Sequence, residues 1–245
     1  MESYKVYKVK SKNIMIRFSD FEKNTKIIFK DKNLLKQAFI HRSYINENPG
    51  SFLSHNERLE FLGDAVLELI VTDFLYKKYL NYTEGELTAI RSALVNAVII
   101  SEVALKIGMN DYLLLSKGEA RDNGKARQYI LANTYEAYVG AVYLDQGYDV
   151  ANKFIAATLL PHTEEIVSKK LWRDAKSLVQ EKTQEFVGVT PVYKVLHESG
   201  PDHDKHFTVG IYFGPNLITE GKGKSKQEAE QKAAEMALKI KNWIE

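Results

Sequence analysis

Apolar residues recur every three or four positions through "LLKQAFI", "LEFLGDAVLELIVTDFLYKKYL", "LTAIRSALVNAVIISEVALKI" and "YILANTYEAYVGAVYLD", and proline is nearly absent between Asp20 and Val167. That spacing belongs to amphipathic helices and predicts a predominantly α-helical domain. The periodicity lapses in the charged stretch "SKKLWRDAKSL", Ser168 to Leu178, where Asp174 is placed to cap a new helix running to about Val187. Beyond it the texture alternates: "PVYKVLHES" and "HFTVGIYF" read as strands, "FGPN" as a turn and "LITEGKGK" as a third strand, with a final helix from Ser225. The pattern thus predicts an all-α domain over residues 19–168, a linker at 169–173 and an α+β module of order α-β-β-β-α over 174–245. Residues 1–18 form a Lys-bearing tail to which no function is assigned. There is no internal repeat or low-complexity tract.

With 44% hydrophobic and 27% charged residues, the chain has the apolar supply for a core and not the composition of a disordered protein. No apolar run approaches the ~20 residues that cross a bilayer. The polar start "MESYKVYKVKSKN" has no hydrophobic segment of a secretory signal. A cytoplasmic protein with no membrane partner is expected. Without cysteine, disulfides, zinc fingers and thiol nucleophiles are excluded, and any metal site must use oxygen or imidazole ligands. A formal charge of +2 is too small to mark a nucleic-acid binder, which only local clusters could do.

One stretch changes the picture. Within "HNERLEFLGDAVLELI" the acids Glu57, Glu60, Asp64 and Glu68 fall in one sector of a helix advancing ~100° per residue, with Leu59, Leu62, Val66, Leu69 and Ile70 opposite. A solvated helix face accounts for such a strip. Against that reading, the residues four places after Glu57, Glu60 and Asp64 are Phe61, Asp64 and Glu68, so no lysine or arginine on the strip relieves the crowding. Stacked like charges are costly unless something positive sits against them, and oxygen ligands point to Mg²⁺ or Mn²⁺. Phe61 lies among the acids, where a ring marks either a contact with another chain or a stray surface aromatic. Asn133 and Glu136, spaced i, i+3 in an apolar helix, need partners: a metal completed by Glu136, or a helix–helix hydrogen bond. His41 and His55 read as structural groups, Tyr135 and Tyr143 as core, and Trp243 as packing for the last helix.

The string "HNERLEFLGDAVL" resembles the signature of the ribonuclease III family, endonucleases that cut double-stranded RNA. "FKDKNLLKQAFIHRSY" resembles the family's opening helix and turn, "EGELTAIRSALVN" and "IGMNDYLLLSKGE" its middle, and "ILANTYEAYVGAVYLD" its second catalytic helix, in the expected order. "GKGKSKQEAEQKAA" resembles the last strand, basic loop and helix start of a double-stranded-RNA-binding domain. The resemblance spans nearly all of residues 20–245.

It implies an all-α ribonuclease III domain followed by an α+β RNA-binding domain, acting as a homodimer with Phe61 entering the partner. It further implies Mg²⁺ as cofactor, with Mn²⁺ a possible substitute, cleavage to 5′-phosphate and 3′-hydroxyl ends, and processing of ribosomal-RNA precursors and structured transcripts. Carried over by position, Glu60 and Glu136 become direct metal ligands, Asp64 a ligand through water or a supporting base, and Glu57 a contributor at the edge of the RNA valley. The remaining family ligand is an aspartate, where this chain has Asn133; its amide oxygen still coordinates but supplies no net charge. An impaired or catalytically silent double-stranded-RNA-binding regulator is therefore the alternative. In the second domain Gln180 and Gln184 would reach one minor groove and the loop around His203 another, with Lys222, Lys224, Ser225 and Lys226 as a phosphate clamp at a helix start. Gln227 and Glu230 stand where many relatives carry cations, so binding should be modest and steeply salt-dependent.

Overall fold

A computed structural model of the chain describes residues 17–49, 54–121, 124–170, 172, 175–201 and 204–243. Two compact units are present, Met1–Lys169 and Lys170–Glu245.

The first unit is helical: α1 (Phe18–Thr25), α2 (Lys32–Ala38), α3 (Arg42–Glu47), α4 (Glu57–Lys78), α5 (Glu84–Leu94), α6 (Ala97–Lys106), α7 (Lys125–Gln146), α8 (Tyr148–Thr158) and α9 (His162–Ser168). Local chemistry sets several starts. The Asp31 carboxylate accepts from the Asn33 amide, the Asn96 side chain from Val98 and Ile99, and Thr83 with Glu86 closes a reciprocal capping box. Each such cap is worth about 1 kcal/mol. His41 caps α3, in keeping with its structural reading.

The core forms around α7, whose residues from Ile130 to Val142 are mostly buried. Tyr138 is a hub for Phe21, Phe29, Phe39 and Phe154, with ring centroids 5.0–6.2 Å apart. Tyr135 is buried as expected, and its hydroxyl meets Thr158 at 2.7 Å; Tyr143 is half-buried. Asp145, near the end of α7, accepts the backbone amides of Lys30 and Asp31 at 2.8 Å each, tying the chain ahead of α2 to the central helix.

α4 and α7 pack with their backbones in contact. A methyl group on Gly63 would fall on the carbonyl oxygen of Glu136 and 2.9 Å from the Gly140 amide nitrogen. One on Gly140 would fall on the carbonyl oxygen of Leu59. Only glycine permits this approach.

The second unit has α10 (Ala175–Val187), β1 (Pro191–Ser199), β2 (His206–Phe213), β3 (Asn216–Gly223) and α11 (Lys226–Ile240). The strands form one antiparallel sheet in the order β1-β2-β3, with irregularities at Val195/His197 and Ile211/Tyr212. Val179 of α10, Ile211 and Phe213 of β2, and Ala233, Ala237 and Leu238 of α11 make its core. Trp243 stacks on Phe213 and Phe186 just past the last helix. Asp174, expected as a helix cap, lies outside the described residues.

Candidate functional site

The glycine crossing decides which side chains meet. Gly63 directly precedes Asp64 and follows Glu60 by three residues, while Gly140 follows Glu136 by one turn. The acids of α4 therefore converge with Asn133 and Glu136 of α7. The Asn133 side chain lies beside the Glu60 carboxylate and favours its charged form.

The convergence is electrostatically strained. Burial, then the charges of Asp64, Glu60 and Glu68, push the Glu136 carboxyl up to about 8. Burial, then Glu57 and Asp64, raise Glu60 above its ordinary value, and the Asn133 side chain opposes that rise.

Among the described residues, relief reaches the strip at its ends, from outside α4. Arg42 of α3 lies 3.4 Å from Glu57, and His55 lies 3.7 Å from the same carboxylate, an ion pair when its ring is protonated. Arg91 of α5 donates Nε–H to Glu68 at 2.8 Å and Nη1–H to Thr72 at 2.9 Å. The expectation of an unrelieved strip thus holds for its middle and is corrected at its ends. Among the described residues Glu60, Asp64 and Glu136 pair with no cation. Nor do any three histidine or acidic side chains among those residues stand as a ready-made metal cage.

Phe61 is 81% exposed. Leu69, expected on the core side of α4, is 58% exposed instead. It lies with Tyr76 within about 80° of Phe61 around the helix, so the three form an uncovered apolar stripe beside the acids.

In the second unit Gln180 and Gln184 lie on an exposed polar face of α10 with Ser177, Glu181 and Glu185. Lys222, Lys224 and Lys226 are all exposed around the start of α11, and Ser225 caps that helix by accepting from the Glu228 amide. The Lys226 ammonium lies 5.6 Å from the centre of the Phe207 ring. Two acids temper the cluster: Glu228 accepts from the Lys224 amide at 2.8 Å, and Asp204 lies 4.0 Å from the Lys224 ammonium. Glu230 is held by Lys176 at 2.6 Å. His203 lies outside the described residues. Sequence reasoning missed Arg42, Arg91 and Asp204, because inspection along one helix does not register partners from distant segments.

A "Ribonuclease-III-like" family profile matches residues 31–163, and the "Double-stranded RNA binding motif" profile matches residues 175–241. The chain is 46% identical to Ribonuclease 3 of Borreliella burgdorferi over 223 residues, 91% of each protein. It is 41% identical to Ribonuclease 3 of Geobacillus thermodenitrificans over 222 residues, 91% of this chain and 90% of that protein. Among solved structures it resembles the nuclease domain of a ribonuclease III from Campylobacter jejuni, with a TM-score of 0.54 and 35% identity, covering 59% of this chain and 99% of that one. That structure's description names a region involved in dimer formation. With its helical unit, its crossing of acid-bearing helices and its trailing α-β-β-β-α module, the chain belongs to the ribonuclease III family of endoribonucleases.

Proposed function

We propose that the chain is a Mg²⁺-dependent, homodimeric endonuclease that cuts double-stranded RNA to 5′-phosphate and 3′-hydroxyl ends, acting in the cytoplasm on ribosomal-RNA precursors and other structured transcripts. Residues 19–168 carry the catalysis and 174–245 the duplex binding. The observation that carries this reading is the trio Glu60, Asp64 and Glu136, without a cationic partner among the described residues and crowded at a helix crossing that glycines hold closed. A fold bears such repulsion where a cationic ligand is expected.

The donor set suits a hard divalent cation, as the family's metal dependence requires. It offers carboxylate and amide oxygens only, and burial, then neighbouring acids, make two of the carboxyls, Glu60 and Glu136, harder to ionise than usual. Glu60, Asp64 and Glu136 would hold the ion, with the Asn133 oxygen as a neutral donor. When bound, the cation supplies charge stabilisation to the phosphate and a more acidic water. Asn133 lies beside Glu60 and favours its charged form. Burial, then the charges of Asp64, Glu60 and Glu68, push the Glu136 carboxyl up to about 8, so a cation would bind there in competition with a proton. Glu57, braced by Arg42, stands at the end of the strip where the RNA would pass. The stripe of Phe61, Leu69 and Tyr76 supports a second copy as partner, bringing two such sites to one duplex. Gln180, Gln184, Lys222, Lys224, Ser225 and Lys226 would hold the minor groove and its phosphates.

Incubating the purified chain with a long RNA duplex, in Mg²⁺ or in EDTA, tests the proposal. Metal-dependent shortening is expected, and intact RNA under every divalent metal would defeat it. One observation favours a second reading: Asn133 brings no charge to the crossing of α4 and α7, which suits a protein that holds duplex RNA without cutting. Tight duplex binding with uncut RNA at saturating metal would mark that case.

A further inference from the structure

The two ends of the acidic strip are braced differently. Glu57 has only long contacts among the described residues, 3.4 Å from Arg42, whose side chain is 66% exposed, and 3.7 Å from His55. Glu68 is gripped at 2.8 Å by an Arg91 that also holds Thr72 one turn further along α4. A guanidinium fixed at two points on the neighbouring helix has lost the freedom that makes surface ion pairs weak. Both side chains of the pair are at least half covered, so solvent screens them less than the exposed lysine pairs within α4 and α9.

Glu68 sits one turn beyond Asp64 on the same strip, and its charge reaches Glu136 across the crossing. With a neutral side chain at 133, the charge felt at the crossing depends on how far each more distant acid is offset.

We propose that Arg91 is a positioning residue of the catalytic site: through its two-point grip on Glu68 and Thr72 it sets the strength of the negative field at Glu60, Asp64 and Glu136. The inference rests on the reading that these carboxylates take a divalent cation. Its content is a sign. Removing the charge of Glu68 leaves the Arg91 cation unopposed beside the site, which weakens cation binding. Removing the charge of Arg91 leaves Glu68 unopposed, which strengthens it. A pair that merely tied α4 to α5 would shift both variants the same way.

The test uses the full chain without RNA, titrated with Mg²⁺ alone, with metal-induced thermal stabilisation as readout. Mg²⁺ dependence of duplex cleavage is followed in parallel. Glu68→Gln is expected to raise the half-saturating Mg²⁺ concentration roughly three- to tenfold, and Arg91→Gln to lower it by a similar factor. The double variant should return within about twofold of the parent, and Arg91→Lys, which keeps the charge, should stay near it as well. If Arg91→Gln does not fold, Glu68→Gln decides alone, because it leaves the Thr72 contact in place. Parallel shifts of the two single variants, or an unmoved midpoint in a parent that responds to Mg²⁺, overturn the inference. A parent that Mg²⁺ does not stabilise at all overturns instead the metal reading on which it rests.

Discussion

Glutamine in place of Glu136 should make the protein sturdier while ending its cleavage of RNA. The carboxyl is pushed up to about 8 from an ordinary 4.5 by burial and by three neighbouring acids. Such a gap sets a ceiling of roughly 5 kcal/mol on the cost of ionising it in the folded state. The side chain is only partly covered, and Asp64 and Glu60 share the repulsion, so about 2 kcal/mol is expected at pH 8. The sign follows from proton binding. Between pH 4.5 and about 8 the folded state keeps a proton that the unfolded chain has lost, so stability falls as pH rises through this window and is flat for this group outside it. Glu136→Gln removes that slope. In EDTA the nuclease unit of the variant should melt about 4–8 °C above the parent at pH 8, with the advantage shrinking toward nothing near pH 4.5. Thermal melts across that range, paired with a duplex cleavage assay, measure both halves. A variant that melts at or below the parent at pH 8, or whose advantage does not change with pH, would refute the claim that these acids repel one another at the crossing.

Three further outcomes follow from the same geometry. Gly63→Ala should cost about 1–3 kcal/mol or more by driving a methyl group into the carbonyl of Glu136, and cleavage should fall further than stability does, as read by melts beside initial rates. Asn133→Asp exchanges the amide that steadies Glu60 for another negative charge, so it should lower the melting temperature in EDTA yet raise single-turnover cleavage at saturating Mg²⁺ by roughly 10–100-fold; an unchanged rate would remove Asn133 from the site. Lys222→Ala and Lys226→Ala together should flatten the dependence of log affinity on log salt by about 0.9 per lysine in filter-binding titrations. Lys224→Ala should matter less, because Asp204 already offsets part of its charge.

How much of this was legible in the letters differs by level. The long helices, the three strands and the clustering of four acids on one face of α4 follow from period and alternation, because burial imposes those periods directly. The pairing of α4 with α7 does not, since nothing in a hydrophobic period says which helix lies opposite; the polar pair Asn133 and Glu136, in need of partners, pointed to it only through the metal reading. Leu69 illustrates the limit of the wheel: it stands at the border of the apolar sector, and tertiary packing turned that border toward solvent. Arg42 and Arg91 were invisible for a related reason. A search at i+4 finds relief within a helix, whereas the cations that brace Glu57 and Glu68 come from α3 and α5. The exposure of the glutamines and lysines of the second unit was easier to read, because they lie on polar positions of elements, or of the turn between β3 and α11, whose boundaries the turn residues announce.

The contact of Gly63 with Gly140 has a consequence for how this enzyme tolerates change. Because two main chains touch there with no side chain between them, the spacing of the reactive groups has no adjustable part. Drift elsewhere in the helical unit can be absorbed by repacking, but at this joint any added atom pries the catalytic groups apart and opens the middle of the fold in the same motion. Variants that lose activity here should also lose solubility, and a selection for either property alone would return the same two glycines.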